Sequence, residues 1–546
     1  MGVQFLSKLF PIAGQPLVYT TLLNGSKFAT QWTVYVGPLG DTGLHELEFL
    51  LEVDPVAMGQ GGSLITQRCR LVCDESLRPV RYRTQTAGLG MSLEFKGETV
   101  DVTMPDGSKQ TVPLGDGQFI MESNMTGQQA LMLALGHAQG KLAGEAKFSA
   151  FVVNALMSVP YQMAPAPDLV GAGGKMYRSS HEEELLINDD GVLLVARTPS
   201  QAIEARREDP PPPLPAWHDK EVLPLVRLTY SPPAGKTFQL EDVAIPGPVT
   251  PLGATVTVPA GKGPFPAVLF LSGTGAHDRN GFAGEVDLGT HEIMDHLSEK
   301  GFVGLRYDTR GAGKTLIGKD VLEQGLETVI TDARAVLTYL RGRADVDPNR
   351  IALIGHSQGG TVALAIAKDE GKKIAALVLM ASPGRAIDDI VVDQIVDQGR
   401  KVGLSSNTVD SQIKQFKDYV ELVRADKPWV AGQIPDHLFV GARGRRWFQE
   451  HLARRGDALV AAVQCPVLVA QGSQDFQVSP SKDAEHLVAA AKAAGVEVTY
   501  ALLPDLDHTF KKVQGESTIA QYYDGSRHVD PSFLGTVTDW LRQRMS

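Results

Sequence analysis

Between residues 1 and 208 apolar and polar side chains alternate in short runs, at 31–36, 44–53 and 64–73, broken by turn-forming pairs such as Asn24-Gly25 and Asp106-Gly107. A period of two buries one face and exposes the other, so these runs predict strands of an antiparallel sheet. Helices are expected at 127–138 and 145–157, and a hairpin from 184–187 and 192–195 across Asn188-Asp189-Asp190-Gly191. Further on the pattern changes. Apolar runs at 267–271, 303–307, 351–354, 376–380, 467–470 and 496–503 are nearly uninterrupted, with helix-length segments between them. Strands covered on both faces read this way, which predicts a mostly parallel sheet flanked by helices, with 238–245 and 254–258 as an antiparallel start. The change falls at Asp209-Pro210-Pro211-Pro212-Pro213-Leu214-Pro215, a stretch biased to stiff polyproline II geometry that can space domains. Three regions are therefore expected: an antiparallel-sheet and helix domain over 1–208, a proline-rich linker over 209–235, and an α/β domain over 236–546. Within the last, the long interval between 380 and 467 predicts a helical cap at 383–464.

Composition narrows the functions. Of 546 residues, 43% are hydrophobic and 21% charged, which fits a folded chain and excludes collagen-like, coiled-coil or disordered character for the whole. A net charge of -11 provides no basic surface for phosphates, so nucleic acid is not an expected partner. No run of 18 apolar residues is present, so no membrane span is expected. The opening twenty residues, broken by Pro11, Gly14 and Pro16, make a poor secretory signal, and the cytoplasm is the expected compartment. Cys69 and Cys73 stand four apart on an expected strand, roughly 13 Å from each other and too far to bridge. Cys465 reads as a buried thiol. No zinc spacing appears, and neither metal nor cofactor is expected.

The candidate chemistry lies in the second half. Gly355-His356-Ser357-Gln358-Gly359 matches G-x-S-x-G, and although the motif is short, it follows the strand at 351–354 and opens a helical run from Gly360. A strand, sharp turn and helix in that order lift a serine above the sheet edge. Ser357 needs a base to take its proton, and the base needs an acid to fix its tautomer. Asp475 follows the run 467–470 and His508 follows 496–503, both just past the carboxyl ends of strands, where open α/β sheets bind ligands. His528, His356 and His277 are rivals for the base, and Asp505 and Asp507 for the acid. Backbone N–H donors must meet the oxyanion. Gln358 is nominated as one and Thr274 as the other, with Gly273 in reserve, from the loop Ser272-Gly273-Thr274-Gly275. In the same loop Asp278 and Arg279 are read as bracing through an ion pair. Trp429, Phe439, Trp447 and Phe448 are candidates for lining a pocket. Arg443, Arg445 and Arg446 are read as a solvated basic turn.

Taken together, Ala267-Val268-Leu269-Phe270-Leu271-Ser272-Gly273-Thr274-Gly275, Asp278-Arg279-Asn280-Gly281, Tyr307-Asp308-Thr309-Arg310-Gly311-Ala312-Gly313, Gly355-His356-Ser357-Gln358-Gly359-Gly360 and Gly472-Ser473-Gln474-Asp475 resemble bacterial serine esterases of the α/β-hydrolase superfamily, near the prolyl-oligopeptidase and dienelactone-hydrolase branch. The resemblance covers about 236–546. It implies an α/β-hydrolase fold, a catalytic set of Ser357, Asp475 and His508, hydrolysis of a small carboxylic ester without metal or organic cofactor, and a helical cap ending near Trp447-Phe448. Thr274 stands where many members carry Ser, a change that leaves its N–H in place. A peptidase or amidase of prolyl-oligopeptidase type is the alternative, and a non-catalytic binding protein a more distant one. The expected partner is the ester substrate, and self-association into a homo-oligomer is left open. Residues 1–208 lie outside the resemblance; their pattern is faintly similar to periplasmic lipoprotein-carrier folds, and an accessory structural role is expected.

Overall fold

Alternation in the first part of the chain builds a sheet that turns back on itself. The structure, a computed structural model, describes residues 6, 9–10, 14–59, 61–86, 89–105, 107–122, 125–154, 156–220, 228–318, 320, 324–427 and 441–546. They divide into two units, Met1–Leu225 with Gln398–Ala442, and Val226–Asp397 with Arg443–Ser546. Asp106, Trp429 and Phe439 lie outside the described residues, as does the side chain of Arg443.

In the first unit the described residues form a sheet of fifteen strands. Its first and last strands, Leu17–Leu23 and Ile203–Arg207, pair antiparallel at the middle, and the others follow outward in chain order to Lys109–Pro113 at one edge and Phe119–Met121 at the other. Laid flat, fifteen strands would span about 67 Å. The two edges are nevertheless joined by residues 114–118, which reach roughly 20 Å at most. The sheet must therefore curl until its edges approach. Helix Thr126–Ala138 is buried over nearly its whole length, from Gly127 to Gly136, as a helix packed on every side must be. Gly127 and Gly136 allow the close approach: a Cβ on them would strike Thr33 and Phe148.

The expected strands, the helix at 127–138 and the hairpin appear close to their anticipated limits. The helix expected at 145–157 does not. Its residues form strand Ala146–Val152 and the start of strand Met157–Pro165, an antiparallel pair. Ala146, Phe148 and Ala150 are buried while Lys147 is exposed, so the true period is two. The proline-rich segment packs on this unit: Trp32 Nε1 donates to Pro213 O at 3.0 Å, and Trp217 joins Val18, Trp32 and Leu50 in a buried cluster. The segment expected as one cap is divided between the units. Helix Ser406–Arg424 belongs with the curled sheet, where Gln412 Nε2 donates to Ser200 O at 3.0 Å and Gln415 to Glu182.

The second unit carries an eight-stranded sheet in the order Gln239–Ile245, Leu252–Val258, Val303–Tyr307, Phe265–Leu271, Val346–His356, Ala376–Met380, Val467–Gly472 and Val498–Leu503. The first two strands are the antiparallel start; from Val303–Tyr307 onward neighbours run parallel. Two apolar clusters cover its faces, one including Leu269, Leu353 and Leu377, the other Val268, Ile354 and Val378. Successive side chains of each strand thus enter opposite layers. Parallel strands end together, so the loops after 271, 356, 472 and 503 gather at one edge. No helix among the described residues is long and apolar enough to cross a membrane.

Candidate active site

Ser357 stands between strand Val346–His356 and helix Gln358–Glu370 with φ 53 and ψ -122, a backbone conformation that a non-glycine residue rarely holds. Two hydrogen bonds secure the turn, Ser357 N to Met380 O at 2.9 Å and Gly360 N to Ser357 O at 2.8 Å. The flanking glycines are needed sterically. A Cβ on Gly355 would come within 2.3 Å of Gly359 O, and one on Gly359 within 2.0 Å of Leu271 O.

His508 and Asp475 meet directly. His508 Nδ1 lies 2.8 Å from Asp475 Oδ2, and both residues are buried. With its Nδ1–H donating to the carboxylate, the imidazole keeps Nε2 as an acceptor. Asp475 is itself held by four donors: the backbone N–H groups of Gln477 (2.8 Å) and Val478 (3.0 Å) reach Oδ1, while Gln471 Nε2 (2.8 Å) shares Oδ2 with the histidine. Gln471 went unnoticed in the sequence, although a glutamine continuing an apolar strand run was its signal; in the structure it is fully buried. Among the described residues no hydrogen bond joins Ser357 to His508. Their segments meet instead through His356, whose Nε2 donates to His508 O at 2.9 Å with the rings 4.8 Å apart.

The rival residues have other tasks. Burial holds His356 well below the usual imidazole range, so it serves as a neutral donor. Burial also pushes His277 down to about 4. His528 pairs with Glu292 at 3.0 Å. Asp507 Oδ1 accepts from Thr509 N, Thr509 Oγ1 and Lys511 N, and Oδ2 from Arg527 at 2.5 Å, so it braces the loop that carries His508. Asp505 is exposed, with φ 60 in a turn.

On the opposite side, the loop after Phe265–Leu271 runs beside the serine: a Cβ on Gly273 would lie 3.3 Å from Ser357 Cβ. Thr274 follows, and its Oγ1 is 3.1 Å from Gln358 Oε1. The bracing ion pair joins Arg279 to Asp308 rather than to Asp278, with contacts of 3.0 and 2.6 Å, while Asp278 caps the turn through Asn280 N and Phe282 N. Trp447 Nε1 lies 2.7 Å from Gln358 Oε1, Phe448 is buried, and Arg446 pairs with Glu450 at 2.9 Å. Among the described residues one cluster of metal-ligand type, Asp287, His291 and Glu292, adjoins the Asp278–Phe282 turn, with His291 N donating to Asn280 O at 3.1 Å; His528 and Val529 N engage Glu292, and Lys511 donates to Asp287 O.

A serine on a strained strand-to-helix turn, with a carboxylate-oriented imidazole in an adjacent strand-end loop, defines a hydrolase of the α/β type. Sequence comparison with known proteins agrees. The family model described as serine aminopeptidase, S33, matches residues 280–512. Esterase EstD of Thermotoga maritima is 28% identical over 314 residues, 56% of this chain and 68% of EstD. An uncharacterized protein of Mycobacterium tuberculosis is 30% identical over 288 residues, 52% of this chain and 79% of its own length. A solved structure, the Pyrococcus furiosus esterase Pf2001, aligns over 58% of this chain and 96% of its own at 16% identity, with a TM-score of 0.37. The chain belongs to the α/β-hydrolase esterase family.

Proposed function

We propose that the chain hydrolyses small carboxylic esters through an acyl-enzyme. Ser357 Oγ attacks the ester carbonyl carbon while His508 Nε2 takes its proton, and Asp475 holds the imidazole in the required tautomer. The carbonyl oxygen, now negative, is met by the N–H groups of Gln358 and Thr274. Collapse of the tetrahedral intermediate expels the alcohol, which receives the proton from His508. Water, activated by the same imidazole, then releases the acid. Each step balances without a metal or organic cofactor. The observation that carries this reading is the 2.8 Å His508–Asp475 contact in the unit that also holds Ser357 at φ 53. The nucleophile–base hydrogen bond is commonly long in a free enzyme and tightens with substrate bound.

The motif set supports a place near the prolyl-oligopeptidase and dienelactone-hydrolase branch, and the Thermotoga and Mycobacterium relatives support a bacterial origin. Three free, buried thiols, Cys69, Cys73 and Cys465, support a reducing compartment such as the cytoplasm. A second reading, cleavage of an amide, draws on the serine aminopeptidase match. Turnover of p-nitrophenyl esters set against aminoacyl p-nitroanilides separates the two: ester cleavage should dominate, and faster anilide cleavage would replace the esterase reading with the peptidase one.

A further inference from the structure

Gln358 supplies more than a backbone N–H. Its carboxamide oxygen takes two hydrogen bonds, from Trp447 Nε1 at 2.7 Å and from Thr274 Oγ1 at 3.1 Å. An indole N–H can only donate, so the oxygen of the carboxamide, and not its nitrogen, must face Trp447. The threonine hydroxyl on that same oxygen must then be the donor. The two residues nominated as oxyanion donors come from segments 84 positions apart, and their side chains are tied to one another at a point that Trp447 clamps.

The clamp is itself anchored. Helix Gly441–Leu452 carries Trp447 and, one turn on, His451. Their rings lie 3.9 Å apart, and His451 Nδ1 is 2.8 Å from Trp447 O. His451 is buried, as is Gln358, so the oxygen that would lose its indole partner has little access to water as a substitute.

We propose that Trp447 is a positioning residue of the oxyanion hole: by holding the Gln358 carboxamide against Thr274 it sets the separation of the Gln358 and Thr274 backbone donors. It touches no reacting atom. The inference rests on the esterase reading of this site. Charge on the oxygen develops only in the transition state, so a displaced donor lowers kcat and leaves ground-state binding nearly intact. Misplacement by about 1 Å can cost up to roughly 100-fold.

The test compares Trp447→Phe, Thr274→Val and Thr274→Ser with the wild-type chain on a p-nitrophenyl ester. Trp447→Phe should lower kcat about 10-fold or more and change KM less than about 2-fold, while binding of a boronic-acid analogue of the tetrahedral intermediate weakens in parallel with kcat/KM. Thr274→Val should show the same split, and Thr274→Ser, which restores the hydroxyl, should recover most of the loss. If Trp447→Phe does not fold, the threonine pair decides by itself. An unchanged kcat in folded Trp447→Phe, or loss in Thr274→Val that Thr274→Ser fails to recover, overturns the proposal. Labelling of the wild-type chain by a fluorophosphonate keeps the two readings apart: absence of label on Ser357 sinks the esterase reading, whereas labelled, active wild type beside fully active Trp447→Phe sinks only the positioning role.

Discussion

Glu122 and Asp475 are carboxylates of nearly equal burial, 5% and 6% exposed, one in each unit. Their surroundings differ. Glu122 is ringed by neutral groups: Tyr82 Oη donates at 2.8 Å, Gln67 Nε2 donates to the other oxygen, and the Cys69 thiol lies 3.7 Å away. Burial pushes its carboxyl above the ordinary range. No imidazole is among these partners, so the network can tie helix Thr126–Ala138 to the sheet through Gln128 but has no route for moving a proton to a substrate. Asp475 instead receives two backbone N–H groups at a strand end and an imidazole with a second nitrogen still available. Burial and hydrogen-bond number do not set the proposed acid apart from Glu122; the identity of the partner does.

Two sets of buried groups, one from each unit, also respond to pH in opposite senses. In the second, burial holds His356 well below the usual range and His277 and His451 down to about 4. The unfolded chain binds protons that these folded histidines refuse, so stability is complete above about pH 6.5 and falls as pH drops toward 4. Glu122 acts in the other sense. Its raised value favours the protonated acid in the folded state, so its contribution is present below the unfolded value and is lost as pH rises through the folded one.

Four measurements press on this contrast. Ser357→Ala should abolish p-nitrophenyl ester turnover by several orders of magnitude, on the order of 10⁴-fold or more, with the circular dichroism spectrum unchanged. Retained turnover would refute the assignment. Asp475→Asn should cost on the order of 10³- to 10⁴-fold in kcat, because an amide in that place stabilises the wrong imidazole tautomer, whereas Glu122→Gln should leave kcat as it was. Equal losses in the two variants would erase the distinction drawn above. Thermal unfolding followed from pH 7.5 to 4.5 should show a progressive fall in midpoint beginning near pH 6.5; a flat profile would show that the buried histidines are accessible to protons in the folded state. The smallest effect is the stability of Glu122→Gln relative to wild type, which should improve, by roughly 1 kcal/mol or less, as pH rises above about 4.5.

Much of the architecture could be read before any coordinates. Uninterrupted apolar runs mark buried parallel strands because such strands have no solvent face, and all six runs became strands of one sheet. The antiparallel reading of the first part held for the same reason in reverse. The failure at 145–157 is instructive: Ala146, Lys147, Phe148, Ser149 and Ala150 carry no strong local preference, and ladder partners in Met157–Pro165 decided their state.

Local order along the chain set the strands, the elbow around Ser357 and the succession of serine, acid and histidine, since periodicity and steric demands act between near neighbours. Other features came from packing alone. The recasting of His356 from rival base to neutral brace and the meeting of Trp447 with Gln358 depend on residues separated by 152 and 89 positions. Side chains so far apart are brought together by the summed burial of the whole sheet, and a linear pattern carries no record of that sum.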